Sequence, residues 1–272
     1  MIHKPSHPRK TTPTFGLARV LSKRGICSRS QAERLAREGR VTVNGRVVLD
    51  PEFPIAGPER IEVDGGGAEA VAQVYIMMNK PRGLVTTAAD ERGRDTVYTA
   101  LAEAGLPWLG PVGRLDKASE GLLLLTNDTV WAAGITEPVT HVDKTYHVQV
   151  AGTPDEATLA AMREGVRDGD DFLRARHASL LRQGERNAWL EVTLDEGRNR
   201  HIRRLLAALG FDVVRLVRIA IGSLTLGELP KGQWRHLSSA EVDALRATPM
   251  SGRGAQGVSV RPAGRPGAWP RG

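Results

Sequence analysis

Residues 113–128 read Gly-Arg-Leu-Asp-Lys-Ala-Ser-Glu-Gly-Leu-Leu-Leu-Leu-Thr-Asn-Asp. The run Leu122–Leu125 is too short for a free-standing helix and has no polar member, so it predicts a strand buried on both faces. Gly121 is expected to break the chain just before it. A strand of that kind needs layers on either side, which excludes a simple helical bundle. It also places Arg114 and Asp116 in a tight connection on a rigid support, where a loop can hold a carboxylate toward a cleft. Read alone, Asp116 is more simply a turn residue that caps its own backbone. Glu120 reads as a solvated loop charge, although with Asp116 it also has the form of a glycosidase-like carboxylate pair.

Charge is distributed unevenly. The formal net charge is +7 over 272 residues. Residues 1–14 contribute +3 and residues 251–272 contribute +4, neither with an acid, and residues 15–50 contribute +5, leaving −5 for residues 51–250. Basic tails and a basic N-terminal module are the electrostatic footprint of a polyanion partner such as RNA. Cys27 is the single cysteine, so no intrachain disulfide can form, which fits a reducing cytoplasm. No signal segment or membrane-length apolar run is evident. The expected setting is therefore cytoplasmic, with the chain acting as a monomer.

Residues 1–14, with three prolines and no apolar periodicity, predict a disordered basic arm. Leu17, Val20 and Leu21 share a helical face that Gly25 is placed to end. Ser28 and Gln31 form a capping box for a second helix running to Gly39. Asn44-Gly45 between Val41-Thr42-Val43 and Val47-Val48 is a hairpin signal. This compact module spans residues 15–64. Gly65-Gly66-Gly67 opens a linker over 65–73, a second domain occupies 74–250, and the Gly/Pro/Arg-rich residues 251–272 predict a disordered basic tail. In the second domain, strands are expected at Val74–Met78, Lys144–Val150, Trp189–Leu194, Val213–Val217 and Leu224–Leu226. Helices are expected after Thr153-Pro154-Asp155-Glu156, with Pro at the first helical position, from about Asn199, and after Ser238 with Glu241. Strands do not alternate regularly with helices, so the fold class is α+β with a mixed, largely antiparallel sheet.

A second chemical cluster is Glu196-Gly197-Arg198-Asn199-Arg200-His201-Ile202-Arg203-Arg204. On a helix, Ile202, Leu205, Leu206 and Leu209 make an apolar stripe, Arg203 and His201 flank it, and Arg200 and Arg204 face solvent. Arg203 can then lay its stem along the core edge and bring its guanidinium to a cleft. There is no metal-spaced Cys/His cluster, no P-loop and no dinucleotide fingerprint, so the chemistry is expected to use no cofactor and no metal.

Gly-Arg-Leu-Asp at 113–116 with Ser119–Asp128 resembles the catalytic segment of bacterial ribosomal pseudouridine synthases, in the branch typified by the small-subunit uridine synthase. The Glu196–Leu206 stretch resembles that family's third motif, where an Arg or Lys pairs with the catalytic aspartate; His201 departs from the Gln or Glu that the family often has there. Lys144-Thr145-Tyr146 resembles its Lys-x-Tyr strand, and Asn79-Lys80-Pro81-Arg82-Gly83 its first motif, which lines the same cleft. Leu21–Arg29 with Gly39–Gly45 resembles an S-four-type RNA-binding domain.

The resemblance implies isomerisation of uridine in ribosomal RNA to pseudouridine. It implies Asp116 as the reacting carboxylate, Arg203 as its cation and Tyr146 as the face against the base. Arg114, Lys80, Arg200 and Arg204 become candidate RNA contacts in the catalytic domain. In the N-terminal module Arg24, Arg29, Arg34 and Arg37 become phosphate contacts, the alternative being a solvated helix face with pairs such as Arg34–Glu38. The N-terminal module and Gly232-Gln233-Trp234-Arg235 favour a large-subunit (23S) target over a 16S one. A non-catalytic RNA-binding or ribosome-assembly protein, or a glycosylase using Asp116 with Glu120, are the competing classes.

Overall fold

The computed structural model describes residues 14–87 and 93–246. The expected arm lies outside the described residues except for its last member, and so does the expected tail.

The N-terminal module forms as local sequence dictates. Leu17–Lys23 is helical, with Leu17, Ala18 and Leu21 buried, and Gly25 leaves it at a φ of 75°. Arg29–Arg37 is the second helix, started by the full Ser28/Gln31 capping box. Strands Val41–Val43 and Arg46–Val47 are joined by Asn44-Gly45, both at positive φ, the conformation that a two-residue turn of this kind requires. The glycine run departs from expectation. Gly66–Gly67 pairs with Ile61–Val63, and Ala68 is buried in the module's core. The run is thus an edge strand of this module's four-stranded sheet, because glycine suits the tight Asp64-Gly65 turn before it without preventing pairing.

The second domain is built on a nine-stranded sheet. In spatial order its main path runs His177–Gln183, Asn187–Leu194, Lys144–Ala151, Val213–Ile221, Glu120–Thr126, Tyr75–Lys80, Trp234–His236. Gly110–Val112 pairs with Glu120–Thr126, and Leu224–Thr225 with Val213–Ile221. Neighbours are antiparallel except at one seam, where Glu120 and Gly121 run parallel to Val217 and Arg218.

Leu122–Leu125 form the buried strand expected of them. Leu122 and Leu124 pack with Val112, Trp131 and Ile135 on one face. Leu123 and Leu125 pack with Ile76, Met78 and Leu115 on the other. Gly121 does not break the chain before this strand; it lies inside it. A Cβ there would sit 2.2 Å from the Arg218 carbonyl oxygen, so glycine is what lets the two strands meet.

A third cluster, around Val148, Leu190, Val192, Ile202 and Leu205, fixes helices Glu156–Glu164 and His201–Ala208 against the sheet. Asp155 caps the first of these helices, so Pro154 lies before the cap rather than at the first helical position. The last helix, Ser239–Arg246, starts with the expected pair: Ser238 N–H donates to the Glu241 carboxylate and Glu241 N–H to Ser238 Oγ. No helix among the described residues is long and apolar enough to cross a membrane.

Candidate active site

A cleft of about 590 Å³ opens beside the parallel seam. Asp116, Tyr146, Arg203 and Arg114 all line it, although they come from three separate parts of the chain.

The Asp116 loop is held from beneath. Lys80 is fully buried, and its ammonium donates to the carbonyls of Ser119 (2.9 Å), Asp116 (3.1 Å) and Pro81 (3.2 Å). Thr86 Oγ1 donates to the Leu115 carbonyl at 2.8 Å, and Gly83 N–H to the Lys117 carbonyl. The loop's own turn closes through Ser119 N–H to the Asp116 carbonyl. Burial pushes Lys80 down to about 8, while Asp116 and Glu120 pull it back toward the charged form. Lys80 therefore clamps the loop's backbone and presents nothing to solvent. The surface RNA contact expected of it does not match this position, because all three of its visible bonds go inward. Thr86, its companion, was not distinguishable in the sequence from any other loop threonine.

The Asp116 carboxylate is half-buried and accepts no hydrogen bond among the described residues. It does not cap its own turn. Arg203 reaches toward it from helix His201–Ala208 without forming a direct ion pair. Its Nη1 donates to the Val213 carbonyl at 3.0 Å, its Nη2 lies 3.5 Å from the Ala118 carbonyl, and its Nε is buried without a partner among the described residues. Burial lowers the Arg203 pKa most, Arg200 and Arg82 lower it too, and Asp116 opposes them. The expected Arg–Asp pair is thus a through-space neighbour, with the guanidinium tying the helix to the loop two residues past Asp116.

Tyr146 stands on the central strand Lys144–Ala151, opposite Val192 on one side and Arg218 on the other. Its ring packs between two of the core clusters while bordering the cleft. Lys144, two residues earlier on the same strand, donates to the Ile135 carbonyl at 3.3 Å. Burial first, and then Arg218, push it down to about 8.

The basic cluster is sorted by tertiary partners. Arg200 precedes the helix in the left-handed conformation (φ 49°) and is exposed at the cleft mouth, so the helix begins at His201 rather than near Asn199. Arg204 is engaged by Asp168 and Asp171. That corrects the solvent-facing orientation read from helical phase alone, since the hairpin carrying the two acids folds against the helix. His201 is buried, its ring nitrogens make no hydrogen bond among the described residues, its Nδ1 lies 3.7 Å from the Glu196 carboxylate, and burial lowers its pKa.

Glu120 is not a solvated loop charge. It is buried beneath Arg215 (2.9 and 3.1 Å) and Lys231 (2.7 Å). It is absent from the residues lining the Asp116 cleft, so the two acids do not form a catalytic pair.

In the N-terminal module Arg29, Arg34 and Arg37 are exposed, with surface partners Glu33, Glu38 and Glu52. Such pairs are weak in water and leave the guanidiniums available to phosphate. Arg24 is different. It is half-buried, and its Nη1 donates to the Ala68 carbonyl.

An ordered loop carrying an unpartnered carboxylate, an aromatic ring, a cleft rimmed by arginine and a separate basic module are the parts of an enzyme that acts on a nucleotide within RNA. Residues 74–208 match the family model for RNA pseudouridylate synthases, and residues 15–61 match the S4 domain. The ribosomal large subunit pseudouridine synthase B of Bacillus subtilis is 36% identical over 242 residues, covering 88% of this chain and 98% of that protein. An uncharacterized RNA pseudouridine synthase of Aquifex aeolicus is 39% identical over 235 residues, covering 84% of this chain and 92% of its own length. The crystal structure of a pseudouridylate synthase superposes with a TM-score of 0.59 at 32% identity, over 85% of this chain and 99% of that one. The chain belongs to the RNA pseudouridylate synthase family. It is an enzyme that converts uridine in RNA to pseudouridine.

Proposed function

We propose that the substrate is ribosomal RNA, that the target uridine lies in the large-subunit (23S) molecule, and that Asp116 is the reacting carboxylate. The observation that carries the reading is the state of Asp116: half-buried in the cleft, beside Arg203 and Tyr146, on a loop whose backbone is clamped by Lys80 and Thr86, with its carboxylate uncommitted among the described residues. Binding RNA needs no such group. Detaching uracil from ribose does, whether the carboxylate attacks the anomeric carbon or takes the proton of the neighbouring one.

Tyr146 supplies a flat face for a base lifted from its stack. Arg203 braces the loop and supplies positive potential. Arg114 and Arg200, both exposed at the cleft, are suited to the flanking phosphates. Arg29, Arg34 and Arg37 extend that contact over the N-terminal module. The large-subunit assignment is supported by the function named for the Bacillus subtilis relative.

The test is Asp116→Asn, assayed on ribosomal RNA from cells lacking this gene. Pseudouridine formation should disappear, with RNA affinity within about twofold of wild type, and the RNA mass should be unchanged by the wild-type enzyme. Turnover by the variant would overturn the assignment of Asp116. Pseudouridine restored in 16S rather than 23S RNA would overturn the target.

A further inference from the structure

Arg218 lies at the floor of the same cleft and has no part in the mechanism just described. Its backbone is pinned against Gly121 at the parallel seam. Its Nε donates to the Leu122 carbonyl at 2.7 Å. The residue is 5% exposed, and Nη2 is buried without a hydrogen-bond partner; Nη1 makes no hydrogen bond among the described residues either. It is the direct cross-strand neighbour of Tyr146, and opposite residues on adjacent strands bring their side chains together on one face. A buried guanidinium held in place from one side, with its other donors unspent, is costly unless something in the cleft uses it.

We propose that Arg218 is a catalytic residue whose guanidinium Nη1 donates to a carbonyl oxygen of the target uracil and stabilises the negative charge that the base acquires when it leaves ribose. This rests on the isomerase reading above. When the bond between the anomeric carbon and N1 breaks, its electron pair goes to the base, where it spreads over N1 and the two ring oxygens. Ribose is satisfied by the new bond to Asp116 in one route, or by loss of the C2′ proton to Asp116 in the other. The charge on uracil persists until C5 bonds to the anomeric carbon, as the bond to Asp116 breaks in the first route or as Asp116 returns the proton to C2′ in the second; the C5 proton is then lost and N1 is protonated. Arg218 transfers no proton and is unchanged at the end. The base lying against Tyr146 is beside Arg218, and the donor is already oriented before reaction, which is the condition under which such hydrogen bonds accelerate a step most. Lys144, on the same strand face as Tyr146, adds positive potential but already donates to the Ile135 carbonyl.

The experiment compares wild type, Arg218→Lys and Arg218→Gln in single turnover at saturating RNA. Two RNAs are used, one with uridine and one with 5-fluorouridine at the target. The readout is loss of the N-linked nucleoside after nuclease digestion. Fluorine makes uracil a better leaving group, so cleavage from it needs less help from a donor. With uridine, Arg218→Gln should be slower by about 10²–10³-fold, the usual size of one such donor, and Arg218→Lys should fall between it and wild type. With 5-fluorouridine the loss should shrink by at least tenfold. That comparison is made within one variant, so a fraction of misfolded protein cancels. A loss of equal size on both RNAs, or an Arg218→Gln rate within fivefold of wild type, overturns the proposal. If Asp116→Asn is inactive in parallel while Arg218→Gln is not impaired, the Arg218 role fails and the Asp116 reading stands. If Asp116→Asn is also active, the site itself has been misread.

Discussion

Gly121→Ala gives the severest test of how the active-site loop is held. The new Cβ would stand 2.2 Å from the Arg218 carbonyl oxygen, 2.8 Å from its nitrogen and 3.0 Å from its carbonyl carbon. All three are backbone atoms, so no side chain can turn aside. Relief requires the seam to open by about 1 Å, roughly the shortfall from ordinary carbon–oxygen contact. The φ of 101° adds an unfavourable conformation for alanine, about 1–3 kcal/mol. Weakening the two-residue parallel pairing forfeits hydrogen bonds worth about 1 kcal/mol each. The sum is about 4 kcal/mol, which for a chain of this size lowers Tm by about 10 °C. Because the seam joins the strand after Asp116 to the strand carrying Arg218, turnover should fall with stability. Gly169→Ala is the control: φ is 60° and nothing lies within 4 Å of the added Cβ, so its cost is about 1–2 kcal/mol from backbone alone. Thermal melts and single-turnover assays of the two variants decide the matter. A Gly121→Ala protein that melts no lower than Gly169→Ala, or keeps wild-type turnover, refutes the argument.

Lys80→Met keeps the buried stem but leaves the Pro81 and Ser119 carbonyls without their donor, while the Asp116 carbonyl retains Ser119 N–H. The expected loss is about 2–4 kcal/mol in urea denaturation, with reduced turnover and unchanged RNA affinity; a large rise in Kd alone would place the ammonium on the RNA. Replacing Arg29, Arg34 and Arg37 by Gln breaks only weak surface pairs, so the melt should stay near wild type while the dependence of RNA affinity on salt becomes shallower; an unchanged slope would show that these arginines do not meet phosphate. Lys144 and Lys80 are both depressed to about 8 from the ordinary 10.5. Between those values the unfolded chain binds more protons than the native one, so stability contributed by these groups rises with pH across that window. Lys144→Met should reduce that rise, measured by urea midpoints at successive pH values, and an identical profile would show that Lys144 titrates normally.

Much of this molecule was legible from local order. The Ser28/Gln31 box, the Asn44-Gly45 turn and the Ser238/Glu241 start each form from partners within three positions of one another. The division of Leu122–Leu125 between two core clusters follows from the two-residue period of a strand, once composition says that both faces are apolar. The motif resemblance singles out Asp116, Arg203 and Tyr146, and the fold brings all three to one cleft.

What local order could not decide was where charges go once distant strands meet. Glu120 reads as a loop acid until Arg215, 95 positions away, is brought over it. Lys80 reads as an RNA contact until the Asp116 loop closes onto its ammonium from 36 positions away. Helical phase turned Arg204 toward solvent, but phase contains no information about the hairpin that carries Asp168 and Asp171. Gly121 reads as a break, although its lack of a Cβ serves a contact with Arg218 made only in the assembled sheet. The physical reason is common to all four. Helix caps, turns and burial periodicity arise from interactions within a few residues, which sequence order contains. The partner of a buried charge, or the atom that crowds a missing Cβ, is set by sheet order, and sheet order exists only after the chain has folded.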